Sequence, residues 1–333
     1  MTLLLAACGD EPQAGQATPS EARTADSVSV DAARANGRIA FSRGTSVLAG
    51  DEDKVTFTVN PDGSDLQPLF EDGQSSNPRW SPDGTEIHIF CCDDGMAAHI
   101  LDPETGDVRG LPPQDPKLET YCGGAWSPDG KRLACEVFGV DDPSRNGIYS
   151  IRSSDGGGLT RITSNPGGDD IPGDYSPDGD RLVFIRFEDE RPVGFFVTNV
   201  DGSGLQRLTP TDMILDDSGF GGSWSPTGDQ ILIVALASEE AHKAIWVVNA
   251  DGSALHQLPI TPTCGEPFSD PTSAGCYSPS WSPDGSKIVL TRSSPDGESE
   301  DIYTVNADGT DLFRVTDGGE DDNADWGINP SAT

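Results

Sequence analysis

Two acidic residues of this sequence stand where they could take part in catalysis. Asp174 and Asp325 each come one residue before an aromatic residue that recurs along the chain. Two carboxyl groups that meet in a channel can act as general acid and base on a glycosidic bond, as in a hydrolase or a lyase. We take them as candidates for a channel mouth, although their spacing in the sequence does not fix the distance between them.

Other catalytic and metal-binding patterns find little support. The sequence contains no Gly-x-Ser-x-Gly nucleophile motif and no His-Glu-x-x-His motif. Residues 142–147 place oxygen ligands at alternating positions, as a calcium loop does, but no glutamate occupies the twelfth position. The sequence therefore predicts a protein that is not an enzyme and has no cofactor and no metal centre, with calcium left open at that one loop.

An aromatic residue followed by Ser-Pro-Asp-Gly, or by a variant of it, recurs along the chain. Pro presets φ for a turn and Gly takes the left-handed position, so the phrase marks a strand that ends in a tight turn. The aromatic residues return every 45 to 57 residues, a period typical of propeller blades. We predict that they fill the core between neighbouring blades. They are Trp80, Trp126, Tyr175, Trp224, Trp281 and Trp326.

A second phrase, Asn-x-Asp-Gly or a variant, lies between copies of the first. It occurs at residues 199–202, 249–252 and 306–309. Asp-Gly closes a hairpin between two strands. Each repeat unit therefore holds four strands, which we name A to D, with tight A–B and C–D turns at one end of the unit.

The two phrases together resemble the propeller repeats of the TolB-like family over residues 37–329. The resemblance implies a β-propeller, and it leaves function open because propellers host many functions. The separate α/β domain that precedes the propeller in that family is not expected here. The same holds for the hydrolase domain of the peptidases that share the repeat.

The predicted fold class is all-β, a six-bladed β-propeller of four-stranded antiparallel blades. Residues 37–43, 54–60 and 65–70 match strands B, C and D without a strand A, and residues 323–328 match a lone strand A. These strands should share one blade and close the ring, which removes exposed sheet edges. The expected division is a lipoprotein signal at residues 1–8, a disordered tether at 9–36, the propeller at 37–329 and a tail at 330–333.

The long B–C and D–A connections fall at the end of the ring opposite the tight turns, and binding sites usually lie on such loops. These loops are rich in acidic residues, so we expect an electronegative face that attracts a cationic protein or peptide. A solvated acidic surface suited to a salty habitat is the alternative. The candidate residues are Asp141, Asp142, Asp169, Asp170, Asp216, Asp217, Glu300, Asp301, Asp321 and Asp322.

The cysteines indicate an oxidising compartment. Cys264 and Cys276 share the longest loop, and we expect them to form a disulfide. Cys122 begins an inner strand near the end of the preceding blade's second strand, so a bridge to Cys91 or Cys92 is a second expectation. Cys135 alternates with apolar residues and is interpreted as part of the core.

Residues 5–9, Leu-Ala-Ala-Cys-Gly, resemble the lipobox of bacterial lipoproteins. The resemblance implies that Cys8 carries lipid and that the protein is held at the cell envelope, on its periplasmic or extracellular face. The apolar stretch before Cys8 is too short to span a bilayer, so the lipid would be the protein's one contact with the membrane. It is also short for a signal peptide, so we expect a start that is truncated or misassigned.

A formal net charge of −35 opposes binding to nucleic acid. The sequence thus favours a monomeric, non-catalytic envelope lipoprotein that binds a protein or peptide through its acidic loop face. The alternative is an envelope enzyme, a glycan lyase, a glycan hydrolase or a peptidase-associated propeller, that acts at the central channel.

Overall fold

The computed structural model describes residues 36–44, 54–69, 75–91, 95–216, 220–262, 264–267, 269–270 and 273–330. Cys8, Cys92 and Asp217, together with the expected signal and most of the tether, lie outside them. The described residues form six antiparallel sheets, five of four strands and one of five, and each sheet is one blade. The inner strands of successive blades contact one another all the way round, which closes a ring. The prediction of a six-bladed propeller is confirmed.

The strands follow the predicted order A to D in every blade. We number the blade that joins the two ends of the chain as blade 1. Blade 1 contains β25 (Asp321–Ile328), β1 (Asn36–Gly44), β2 (Lys54–Val59) and β3 (Gln67–Pro68). Blade 2 contains β4 (Ser75–Trp80), β5 (Ile87–Cys91), β6 (Ala98–Leu101) and β7 (Val108–Leu111). Blade 3 contains β8 (Leu118–Trp126), β9 (Arg132–Gly139), β10 (Gly147–Arg152) and β11 (Thr160–Arg161).

The second half of the ring repeats this plan, except that the inner strand of blade 5 has two parts, both paired with β18. Blade 4 contains β12 (Asp170–Tyr175), β13 (Arg181–Glu188), β14 (Arg191–Asn199) and β15 (Gln206–Arg207). Blade 5 contains β16 (Ile214–Leu215), β17 (Ser223–Trp224), β18 (Gln230–Leu236), β19 (Lys243–Asn249) and β20 (His256–Gln257). Blade 6 contains β21 (Cys276–Trp281), β22 (Lys287–Ser293), β23 (Glu300–Asn306) and β24 (Phe313–Arg314). In the part of the chain that the structure describes, no helix is long and apolar enough to cross a bilayer.

The tight A–B turn owes its shape to the Ser-Pro-Asp-Gly phrase. In blade 2 the N–H of Gly84 donates to the carbonyl of Ser81 at 2.9 Å, and Gly84 has a φ of +71° that glycine adopts without a steric penalty. The Ser81 hydroxyl donates to the Asp83 carboxylate at 2.7 Å. It also accepts the N–H of Glu86 at 2.9 Å, which starts the next strand in register. Each short polar side chain thus satisfies a turn donor or acceptor that would otherwise need water.

The core lies between blades, because the strands B and C are buried on both faces. In β13, Leu182 and Phe184 pack toward blade 3, while Val183 and Ile185 pack toward blade 5. Continuous apolar runs in the sequence reflect this two-sided burial. The recurring aromatics at the ends of the inner strands are part of the same packing: Trp126, Tyr175, Trp224, Trp281 and Trp326 are all buried.

Blade 1 closes the ring through β25 and β1. Ile39 pairs with Trp326 and Arg43 with Asp321, so the two ends of the chain form one sheet. The last copy of the repeat reads Trp326-Gly327 for a steric reason. A side-chain carbon at Gly327 would lie 2.7 Å from the Trp80 ring of blade 2, so the usual serine cannot fit there.

Two disulfides join described cysteines. Cys264 and Cys276, the pair expected from the sequence, are bonded. The expected bridge from Cys122 to Cys91 or Cys92 is wrong, because Cys122 is bonded to Cys135. The two residues lie directly opposite each other on β8 and β9, with Cα atoms 3.9 Å apart, so the neighbouring strand of the same blade offers the closest thiol.

The Arg43–Asp321 ion pair should contribute strongly to ring closure. Asp321 is fully buried and accepts two hydrogen bonds from Arg43, at 2.6 and 2.7 Å. We expect Asp321→Ala to lower the free energy of unfolding by about 3 kcal/mol, because it leaves a largely buried guanidinium without its carboxylate. The measurement is urea unfolding followed by tryptophan fluorescence.

The control for that prediction is Asp65→Ala. Asp65 pairs with Arg38 at 2.6 Å, but the Asp65 side chain is 52% exposed. Breaking this exposed pair should cost much less, because water screens it. Equal losses in the two variants would contradict a special role for the closure pair.

Candidate functional site

The central channel widens into a cavity at the end of the ring that carries the long connections. Its volume is about 840 Å³, and it is lined by the inner strands and by the B–C connections of blades 5 and 6. A second, smaller space of about 210 Å³ lies at the other end, among the recurring aromatics and the prolines of the A–B turns. Arg79 contributes to the lining of both, so it marks the boundary between them.

One ring of residues forms the middle of the cavity wall. Each inner strand contributes the residue three positions before its recurring aromatic, where most of these strands carry a β-bulge that shifts their register. A bulge re-aims side chains and is common next to binding sites. In blades 1 to 6 these residues are Asn323, Asn77, Gly123, Pro172, Gly221 and Ser278.

A second ring, one residue before each aromatic, closes the channel below the cavity. Arg79 from blade 2 reaches across to the Asp174 carboxylate of blade 4. Its Nε lies 4.0 Å from the Asp325 carboxylate of blade 1. Burial raises the pKa of Asp174, and the charge of Arg79 opposes that rise. The cavity therefore has a charged, closed floor.

The two sequence candidates for catalysis are both engaged in that floor. Besides its contact with Arg79, Asp325 accepts the N–H of Trp80 at 2.8 Å and the hydroxyl of Ser280 at 2.7 Å. Asp174 accepts the N–H of Trp224 at 3.2 Å. The structure brings the two acids to the same arginine, and this arrangement positions the inner strands against one another.

Aromatic and aliphatic side chains form the upper wall on one side. Tyr121 of blade 3 is 48% exposed and lines the cavity, together with Ile171 of blade 4 and Phe220 of blade 5. Phe90 of blade 2 lies on the same wall and is 37% exposed. Tyr121 packs edge-on against Phe138 with ring centroids 6.2 Å apart. Exposed aromatics beside a cavity are typical of binding sites.

Five of the acidic candidates are buried in ion pairs and do not form a free acidic rim. Asp170 binds Arg186, and Asp321 binds Arg43, each through two hydrogen bonds. The remaining three pairs are Asp216 with Lys243 at 2.8 Å, Asp301 with Arg314 at 2.5 Å and Asp322 with Lys54 at 2.6 Å. The sequence shows these acids but does not reveal the cation that the strand register places opposite each one.

The other candidates differ in their surroundings. Asp141 is exposed at the surface. Glu300 lines the cavity and hydrogen-bonds Tyr277, and burial together with this bond raises the pKa of that phenol. Asp169 has a raised pKa because of burial and because of the nearby charges of Asp170 and Glu190.

The suspected calcium loop is organised around its own hydrogen bonds. Asp142 caps the 3₁₀ turn Pro143–Arg145, and its carboxylate accepts the N–H and the hydroxyl of Ser144. The Asn146 side chain accepts the N–H of Gly139 at 3.0 Å. No group of three or more His, Cys, Asp or Glu side chains within the described ranges is disposed to hold a metal ion.

Glu136 is a functional candidate that the sequence analysis missed. It lies on β9, lines the cavity, and has its pKa raised to about 8 by burial and by the charges of Asp169 and Asp170. Glu136 interrupts the otherwise apolar run Leu-Ala-Cys-Glu-Val-Phe. A buried strand seldom carries an unpaired carboxylate, so this acid could have been recognised in the sequence as a candidate functional residue. Glu136, Asp169, Glu188, Asp189 and Glu190 together form what we call the acidic sector of blades 3 and 4.

Comparison with known proteins supports the propeller. The family model of the TolB beta propeller domain matches residues 70–267. TolB from Acinetobacter baumannii superimposes with a TM-score of 0.64 at 20% identity, over 87% of this chain and 66% of that chain. This chain therefore spans just under two thirds of that protein.

Two further solved structures show how widely the fold is shared. A putative TolB from Agrobacterium tumefaciens has a TM-score of 0.62 at 18% identity, over 89% of this chain and 99% of that chain. An oligogalacturonate lyase in complex with manganese has a TM-score of 0.54 at 16% identity, over 79% of this chain and 70% of that chain. At these identities the similarity concerns the fold, which serves both binding proteins and enzymes.

The raised pKa of Glu136 should make stability fall as pH rises. The folded state holds a proton on this carboxyl between its ordinary pKa of 4.5 and about 8, where the unfolded chain has lost it. Stability is therefore lost across that window. We expect Glu136→Gln to be more stable than the native chain at pH 9, on the order of 2 kcal/mol after solvent screening, and equally stable at pH 4.

Urea unfolding at the two pH values measures that difference. Glu104→Gln makes the same change at an exposed residue in the C–D turn of blade 2 and should leave stability unchanged at both. A native chain as stable as Glu136→Gln at pH 9 would show that the carboxyl ionises freely.

Proposed function

Since the chain belongs to the TolB beta propeller domain family, we propose that it is a non-catalytic binding protein of the cell envelope. Its partner is a protein with a basic surface, and the two meet on the loop face beside the cavity. The observation that carries this proposal is the acidic sector of blades 3 and 4. There, the pKa values of Glu136 and Asp169 are both raised in part by the charges of neighbouring carboxylates, although Arg186 pairs with Asp170 and Arg191 lies opposite Glu188.

The electrostatics of the acidic sector favour a cation. Glu136 and Asp169 each have a raised pKa, partly because neighbouring carboxylates repel their negative charge. A lysine or arginine of the partner would relieve that repulsion and return both pKa values toward their ordinary range. Binding should therefore release a proton from Glu136 near neutral pH and should strengthen as the pH rises toward 8.

Aromatic and aliphatic side chains beside the cavity supply the apolar part of the contact. Tyr121 and Phe138 border the acidic sector, and Val140 beside them is 53% exposed. Aromatic anchors next to complementary charge are the usual composition of a protein–protein hot spot. A partner that combines basic and apolar side chains fits this surface.

Catalysis at the channel is the second function considered, and no observation favours it. The two acids nearest the channel axis, Asp174 and Asp325, hold Arg79 and the inner strands. The lyase among the structural neighbours shares the fold at 16% identity. We therefore assign no catalytic role to these residues.

The test is a pull-down from envelope extract with the native chain and with the triple variant Asp169→Asn, Glu188→Gln and Glu190→Gln. We expect the native chain to retain a basic protein and the variant to lose it, because long-range attraction and the local charge pairs both disappear. The captured protein should also elute as the salt concentration rises.

A matched control removes three other negative charges, from acidic residues at the opposite end of the ring. The control is Glu104→Gln, Asp107→Asn and Asp180→Asn, all exposed residues of turns. If both triple variants lost the partner, binding would depend on the total negative charge of the protein and not on the acidic sector. Equal retention in all three proteins would place binding away from the acidic sector.

We also propose that the protein is a monomer anchored through lipid on Cys8, which lies outside the described residues. The support is the lipobox-like phrase at residues 5–9. Cys8→Ser should move the protein from the membrane fraction to the soluble fraction and abolish incorporation of a labelled fatty acid. If the native chain did not incorporate the labelled fatty acid, the lipid anchor would be refuted and the binding proposal would be unaffected.

A further inference from the structure

The ring of residues in the middle of the cavity wall has two unlike halves. Blades 6, 1 and 2 contribute Ser278, Asn323 and Asn77, which carry hydrogen-bonding side chains. The equivalent residues of blades 3, 4 and 5 are Gly123, Pro172 and Gly221, which carry none. Within this ring, hydrogen-bonding side chains thus occupy one contiguous half, from blade 6 through blade 1 to blade 2.

The polar half is held in place by its backbone. The N–H of Asn77 donates to the Ser42 hydroxyl at 3.0 Å, and the N–H of Asn323 donates to the Thr291 hydroxyl at 3.2 Å. Both asparagines adopt a positive φ, +50° and +52°. Such strained backbone in a non-glycine residue persists where the surrounding structure fixes it, and it often marks a functional site.

Hydrogen-bonding groups of this half remain open to a ligand. The Ser278 hydroxyl donates a hydrogen bond to Asn323 Oδ1 at 2.9 Å. This bond orients the Asn323 carboxamide and leaves the Asn323 Nδ2 group to donate to a ligand. Within the described ranges neither that Nδ2 nor the Asn77 carboxamide makes a hydrogen bond to protein. A carboxamide offers two donors and an acceptor, so the pair can both give and receive hydrogen bonds.

The other half of the wall leaves room and an apolar surface. A side-chain carbon added at Gly123 would meet no atom within 4 Å. Tyr121, Ile171 and Phe220 line the cavity on this side. A ligand here would therefore face aromatic and aliphatic groups on one side and carboxamides on the other.

The closed floor decides the shape of the ligand. Arg79 and Asp174 form an ion pair across the channel beneath the cavity, which leaves the loop face as the wider entrance. A cavity of about 840 Å³ above this ion pair suits a compact ring or the end of a chain better than an extended chain that threads through. The lining acid Glu300, which accepts a hydrogen bond from Tyr277, disfavours a negatively charged ligand on its side of the cavity.

We propose that this cavity binds the end of a neutral saccharide. Sugar hydroxyl groups donate and accept hydrogen bonds, which matches the carboxamides of Asn77 and Asn323. The C–H face of a sugar ring is apolar and packs on aromatic side chains, and the half-exposed Tyr121 lies on the cavity wall for such a contact. The carboxamides lie on blades 1 and 2 and the acidic sector on blades 3 and 4, although Glu136 of that sector and Tyr121 beside it also line the cavity.

The first test probes an array of neutral and uronate-containing oligosaccharides with the full chain, followed by titration of a bound neutral tetrasaccharide. The variant Asn77→Gly with Asn323→Gly removes both carboxamides, and glycine adopts the positive φ without strain. We expect binding of neutral saccharides in preference to uronates and about a tenfold or greater loss of affinity in the variant.

The control is Ala254→Gly, a change to glycine at another positive φ, +55°, in an exposed turn at the opposite end of the ring. It should bind like the native chain. The proposal would be overturned if the native chain bound only uronates, bound only peptides, or bound none of the neutral saccharides. An affinity that the double variant leaves unchanged would do the same.

A second variant blocks the cavity without removing a hydrogen bond. Gly123→Trp places a large side chain in the open space of the wall and should abolish saccharide binding. Gly167→Trp, at an exposed glycine outside the cavity with no atom closer than 4.0 Å, should not. The triple acidic variant should keep saccharide binding while it loses its protein partner, which separates this proposal from the proposed function.

Discussion

The pairing of β25 with β1 is the interaction on which the rest of the structure depends. It joins the last strand of the ring to the first, through Ile39 opposite Trp326 and Arg43 opposite Asp321. Without it, blade 1 would lack its inner strand and blade 6 would face water where Val289 and Ile302 now pack against Phe41. The channel would also lose Asn323 and Asp325, since both lie on β25. The cavity therefore exists only in the closed ring.

Ion pairs between adjacent strands help so acidic a chain to keep a compact fold. Buried carboxylates in blades 1 and 4 meet an arginine of the adjacent strand, Asp321 with Arg43 and Asp170 with Arg186. Each guanidinium lies over two phenylalanine rings of its own blade, which shields the pair from water. Two of the scarce basic residues thus neutralise buried carboxylates in a chain whose formal net charge is −35.

The fold could be predicted from the sequence because short segments of neighbouring residues determine its turns and its repeat. Pro and Gly in Ser-Pro-Asp-Gly fix a turn within five residues, and the repeat period counts the blades. The disulfide of Cys122 depended on register across a hairpin. Cys122 lies opposite Cys135 because the bulge in β8 places two extra residues between the paired positions Cys122 and Ala125. A turn phrase gives the position of a hairpin but does not reveal a bulge within its strand.

The site was harder to predict because it depends on residues that only the ring brings together. The loop acids were visible in the sequence, yet whether an acid is free depends on the cation across the sheet. Asp216 is neutralised by Lys243, whereas Glu136 faces Asp169 and Asp170 from the neighbouring blade. Equivalent positions in different blades also carry different residues, Asn77 in one and Gly123 in the next. Six similar blades therefore build a cavity with unlike sides, and this asymmetry lets a repeat protein recognise one face of a ligand.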